Sequence, residues 1–389
     1  MCDKKTKLVG AVAAVLVLVA IGGGGYAYYE SQNTPEALIS QAAVLTNQKD
    51  FVGAAEKLKK AAEKGSPMAK YTLAIMYMDG VGVGKSYPDA QVLLREAAAG
   101  GIADANVRLW KLLLSGQAGQ VDEVEAAKYI VIAANQGDEE SQTMAGSIYL
   151  QGIGVAQNNE QGIKFLTQAA SKNYAPAQAL LGQLSLKGVG MEQNIPNGME
   201  LLKKAAAQND KEAEYALGVV YLKGNLVEKN EAEGVKFLKQ ASDSGYDKAE
   251  YAYGLVLKNG LGVEKNETAA IELIKKSAEG GYAPAMLALS AFYATGDGVQ
   301  ADPAESAKWA QKSQEVIKKE ISLMDELTDN SPIATPQQVV APAAEAALPG
   351  VQPPAAAPAA AAPAQPTVAP VAAQPVAPTP AVAQVPLKK

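Results

Sequence analysis

The stretch from Asp79 to Ser86, DGVGVGKS, is where this sequence comes nearest to chemistry. Glycines ahead of a Lys-Ser pair can form a loop whose backbone N–H groups wrap a phosphate. That loop needs glycine where Asp79 stands and a strand before it, whereas segments of helical period flank this one. Nucleotide binding is not expected. The chain has no histidine and one cysteine, Cys2. Imidazole-based triads, His zinc sites and His proton shuttles are thereby excluded. A single cysteine supports neither an internal disulfide nor a thiolate metal site. No Ser-x-x-Lys occurs either. No cofactor, metal or enzymatic activity is expected.

The remaining candidates are contact residues. Between Pro67 and Asp79, Leu73, Met76 and Tyr77 share one helical face. Tyr71, Ile75 and Met78 lie at i, i+4 and i+7 on the other side. The second face returns as Tyr215, Val219 and Leu222, and as Tyr251 and Leu255, where Lys258 breaks it. Two opposed apolar faces mean that a helix is packed from both sides in an array, or that one side lines a groove for a partner helix or extended peptide. Trp110 occupies a slot that is small elsewhere in the chain. It either repacks locally or presents an exposed anchor for a partner.

A repeat of 36 residues must position all of these. Stepping by that interval from Gly80 meets Gly116, Gly152, Gly188, Gly224, Gly260 and Gly296. Six residues earlier stand Ala74, Trp110, Gly146, Gly182, Gly218, Gly254 and Ser290. A second small column reads Ala69, Ala105, Ser141, Ala177, Ala213, Ala249 and Ala285, and a third Ala90, Ala126, Gly162, Gly198, Gly234, Ala270 and Ser306. A bulky column reads Leu93, Tyr129, Phe165, Leu201, Phe237, Leu273 and Trp309. Each unit holds two helical segments joined by a Gly-rich turn, and Gly80 falls where a left-handed residue closes the first helix. Small columns let helices approach, and bulky ones fill between them. A two-helix unit cannot shield its own apolar side, so units stack in a line.

At these residues the chain resembles the Sel-1-like repeat family, relatives of the tetratricopeptide repeat. The family pattern is carried by Ala213, Leu217, Gly218, Tyr221 and Gly224, and again by Ser141, Ala145, Gly146, Tyr149, Gly152, Gly154 and Val155. The resemblance spans Ser66 to Ser313, seven units. It implies a right-handed α/α superhelix used for protein-protein contact, with no catalytic residue. Some relatives carry a cysteine pair in each repeat and have been linked to β-lactam hydrolysis, and this chain lacks those cysteines. Unit two departs from the pattern, with Trp110 for glycine, Leu113 for tyrosine and the turn Gly116-Gln-Ala-Gly119.

The ends differ from the middle. Lys4, Lys5 and Lys7 precede an uncharged run from Leu8 to Tyr29. As a signal anchor, roughly 20 apolar residues span a bilayer, with lysines inside and Tyr26, Tyr28 and Tyr29 at the far interface. As a signal peptide, Gly25-Tyr26-Ala27 offers small residues for cleavage. Both readings export the body. After residue 331, 14 of 58 residues are proline and most others small, which forbids a helix or a core. Such a tail is expected to be disordered and to reach on the order of 150 Å. Of 35 basic and 41 acidic residues, 30 and 39 lie between residues 8 and 331. That acidic body lacks the basic footprint of a nucleic-acid binder.

The expected fold is all-α: a solenoid of seven two-helix repeats behind an N-terminal cap pair. The expected divisions are a basic stretch 1–7, apolar segment 8–29, cap pair 30–65, solenoid 66–317, helix extension 318–331 and Pro/Ala-rich tail 332–389. The expected function is an interaction scaffold anchored by a single pass in a bacterial inner membrane, N-terminus cytoplasmic and repeats periplasmic. Its partners would be other envelope proteins held in the solenoid groove. The alternatives are a cleaved signal with a soluble periplasmic body, and an assembly or localisation factor associated with peptidoglycan.

Overall fold

The computed structural model describes residues 33–329, with side chains to residue 319. The expected basic stretch, membrane or signal segment, Cys2 and Pro/Ala-rich tail lie outside these residues. Among the described residues no helix is long and apolar enough to cross a membrane. Sixteen helices follow one another there. Helices α1 (Pro35–Asn47) and α2 (Phe51–Glu63) form a first pair. Units one to four are α3 (Pro67–Asp79) with α4 (Tyr87–Ala99), α5 (Ala103–Ser115) with α6 (Glu123–Gln136), α7 (Glu139–Gln151) with α8 (Asn159–Ser171), and α9 (Ala175–Lys187) with α10 (Ile195–Ala206). Units five to seven are α11 (Lys211–Lys223) with α12 (Glu231–Asp243), α13 (Asp247–Asn259) with α14 (Glu267–Glu279), and α15 (Ala283–Thr295) with α16 (Pro303–Asp329).

Local chemistry sets these boundaries. Second helices start behind side chains that accept an orphan N–H, such as Asn194 from Asn197 at 3.0 Å. First helices end on the periodic glycines, with φ from 61° at Gly224 to 77° at Gly296, a left-handed region costly for other residues. The turn then folds back. The Asn194 N–H donates to the Ser185 carbonyl at 2.9 Å, and five other units repeat the bond, as at Ser86 to Tyr77. The first pair has only residues 48–50 between its helices, with Lys49 at φ 64°.

Each helix packs on its neighbours in sequence, and α9 also touches α7 and α11. In units three to five the first helices therefore crowd along one side while no such contact joins the second helices, the geometry of a curved array. Leu166, Leu202 and Leu238 are wholly buried, each stabilising by about 2 kcal/mol relative to exposure. In units three to five these leucines sit over a backbone contact. A Cβ on Gly198 would stand 2.8 Å from the Gly182 carbonyl oxygen, and one on Gly234 would stand 3.1 Å from that of Gly218.

Candidate protein-interaction surface

The second apolar face is mostly spent on joining units. Tyr71, Ile75, Leu222, Tyr251 and Leu255 are buried, while Met78, Tyr215 and Val219 are half-buried. The Tyr71 hydroxyl accepts a hydrogen bond from Arg108 Nε at 2.9 Å, from unit one to unit two. Tyr215 meets Tyr246 edge-on at 5.5 Å, and Tyr251 meets Tyr282 at 5.6 Å. Each contact runs from the first helix of one unit to the next unit, to mid-helix at Arg108 and to the N-cap residue at Tyr246 and Tyr282. Burial pushes the Tyr251 hydroxyl up to about 12, so it stays protonated. For the five buried residues, the side chains fill the seams between helices instead of lining an open groove.

Trp110 also corrects an expectation. An exposed anchor does not fit a side chain that is 4% exposed. Its indole N–H donates to Ser141 Oγ at 3.0 Å, across the junction into unit three. The position that matches Gly198 in unit four is here Ala126, a small and wholly buried residue of α6. The periodic glycines Gly80, Gly116, Gly152, Gly188, Gly224, Gly260 and Gly296 all act as left-handed helix ends. The stretch Asp79–Ser86 joins α3 to α4, so no strand feeds it. A Cβ on Gly82 would collide with the Phe51 carbonyl of the preceding pair. That glycine serves packing, and the loop is no phosphate cradle. Among the described residues no group of acidic, cysteine or histidine side chains could hold a metal.

Midway along the first helices of units three to five what stays accessible is uncharged, while Glu140, Lys187, Glu212 and Lys223 stand toward the helix ends. In units three to five the partly exposed residues there are Thr143, Met144, Ser147, Leu180, Gln183, Tyr215, Ala216 and Val219. In unit two the matching positions include Arg108 and Lys111. The uncharged strip therefore has a charged edge, where Lys111 pairs with Glu140 at 2.5 Å.

Two features escaped sequence reasoning. One is an ion pair at the first unit junction: Arg95 meets Glu125 with two bonds, at 2.8 and 2.6 Å. The Arg95 guanidinium holds the Glu125 carboxyl below the usual range. The other is a buried polar column of Asn106, Gln142, Gln178, Glu214 and Glu250, each at most 4% exposed. The same 36-residue step would have found it.

Comparison with known proteins places this geometry. A family model described as Sel1 repeat matches residues 67–102, 105–138, 139–174, 175–210, 211–246, 247–282 and 283–313. No curated protein matches the chain. Among solved structures, a Sel1 repeat protein from Oxalobacter formigenes is 23% identical, with a TM-score of 0.55 over 77% of this chain and 89% of that one. A protective antigen of uropathogenic Escherichia coli displaying an SLR fold is 20% identical, with a TM-score of 0.49 over 86% of this chain and 90% of that one.

Proposed function

We propose a function from one premise: the chain belongs to the Sel1 repeat family. It is a helical scaffold of a kind typical of proteins that bind other proteins. Our reading is an envelope scaffold. Residues 8–29 hold it to a bacterial inner membrane, the repeats lie on the far side, and a protein partner docks along the crowded side of the array without chemistry being done on it. Lysines followed by an uncharged run of membrane length support the anchor. The missing histidine and the single cysteine support a non-catalytic role.

One observation carries the docking reading: the uncharged, half-exposed strip from Thr143 to Val219 in a chain that is 20% charged. A mid-helix strip free of charge in three successive units, with charges only toward the helix ends, suits an apolar helix or extended segment. Photocrosslinkers at Met144, Leu180 and Val219 in living cells test it. The expected result is one discrete protein adduct shared by all three sites and absent from a crosslinker at Lys239 on the outer side. Tyr215→Asp should remove that adduct while helical content is kept. Adducts at Lys239 alone would overturn the reading.

A further inference from the structure

The buried polar column treats its members unequally. Gln142 Nε2 donates to the Ala134 carbonyl at 3.2 Å, and Gln178 Nε2 donates to the Ala170 carbonyl at 3.2 Å. Each bond ties a first helix to the end of the preceding second helix, eight residues back. The same offset from Glu214 is Ala206, whose carbonyl accepts the Asn209 N–H at 2.9 Å much as Ala170 accepts that of Asn173 at 3.0 Å. A carbonyl oxygen has room for a second donor. A carboxylate has nothing to donate, and glutamate replaces glutamine here.

Charge is answered at other members of the column. Lys70 pairs with Glu96 at 2.7 Å, and five units later the signs reverse, with Glu250 paired to Lys276 at 2.6 Å. At Glu214 the corresponding partner position holds Gln240. The charges on the elements around it are otherwise engaged or remote in effect. On α10, Glu200 pairs with Lys204 at 2.6 Å, and Lys203 is the third charge. On α12, Glu231 pairs with Lys229 before the helix, Glu233 with Lys236 and Lys239 with Asp243. On α9 the charge is Lys187, and on α11 Lys211, Glu212 and Lys223 accompany the N-cap Asp210. The charge that acts on Glu214 is Asp210, which is also negative. Glu214 is 3% exposed, and its Oε2 has no hydrogen-bond partner.

We propose that Glu214 is a proton-operated latch between units four and five. With the proton on, its carboxyl donates to the Ala206 carbonyl as the glutamine amides do in the preceding units. With the proton off, a bare carboxylate faces that carbonyl and Asp210, and the junction loosens. Burial and then Asp210 raise the Glu214 carboxyl above its ordinary value, in the direction the latch requires. An acid raised on folding is most stabilising below its unfolded value, and that stability is lost as pH rises through the folded value.

Urea unfolding of the full chain from pH 4.5 to 8, for wild type and Glu214→Gln, tests this. The variant should have the higher midpoint at pH 8, and its advantage should shrink to nothing as pH falls through the range where the wild type gains its proton. Equal or lower midpoints for the variant at pH 8 would overturn the latch. Should the variant fail to fold, infrared difference spectra of the wild type decide instead. The latch requires a protonated carboxyl band that persists above the range of ordinary glutamates, and its absence contradicts the latch.

Discussion

In unit four, Gly182 and Gly198 bring two helices together so closely that a Cβ on Gly198 would overlap the Gly182 carbonyl at 2.8 Å and one on Gly182 would be tight against Leu202 at 3.0 Å. In unit two the matching positions hold Trp110 and Ala126, and the tryptophan is buried. The pair of units separates two jobs that the repeat usually combines. A glycine slot draws the helices of one unit together beneath a leucine of that same unit, Leu202 in unit four. A tryptophan in the slot spends its bulk within the unit and its N–H on the next unit, at Ser141. Polar joints collect around the same place. Both arginines of the chain work there, Arg95 on Glu125 and Arg108 on Tyr71. The slot therefore has no fixed size. It is the size its facing residues leave.

The sharpest way to break this comparison is to restore the repeat pattern in unit two. Trp110→Gly should cost about 4 kcal/mol, because it empties a packed site and removes the donor to Ser141. Urea unfolding followed by circular dichroism measures it, and an unchanged midpoint would mean that the tryptophan is a tolerated accident. The reverse exchange is smaller. Gly198→Val should cost about 2 kcal/mol by overpacking, since its Cβ would meet Leu186 Cγ at 2.7 Å, and the same measurement should show it.

The smallest effect belongs to the ion pair. Arg95→Ala should cost about 0.5 kcal/mol at pH 7, because both partners are partly in water. Glu125 is the carboxyl that the arginine lowers on folding. Its contribution is present above the ordinary glutamate value and is lost as pH falls through the lowered one. Wild type and variant should therefore converge at strongly acid pH. A difference that survives there would assign the effect to lost packing of the arginine stem.

Much of this architecture was legible because its requirements are local. A left-handed helix end demands glycine, so the glycine at every step of 36 could be read as a series of stops. The outcome at Tyr71, Tyr215 and Tyr251 was not legible. One position in the repeat yields 3% exposure at Tyr71 and 6% at Tyr251, yet a half-buried ring at Tyr215. The next unit brings Arg108 to Tyr71 but a tyrosine to both Tyr215 and Tyr251, and periodicity marks equivalence without specifying neighbour or burial. Trp110 was ambiguous for the same reason, since its partner Ser141 is 31 residues away. The polar column went unnoticed because its identity drifts from Asn through Gln to Glu along the array.

Removal of one whole unit, residues 175–210, tests the central claim that stability here is shared along a line of stacked neighbours. The account predicts that the shortened chain keeps its helical content per residue while its urea midpoint falls, because one unit and one junction are gone. An unchanged midpoint, or a chain that loses its helices altogether, would contradict it.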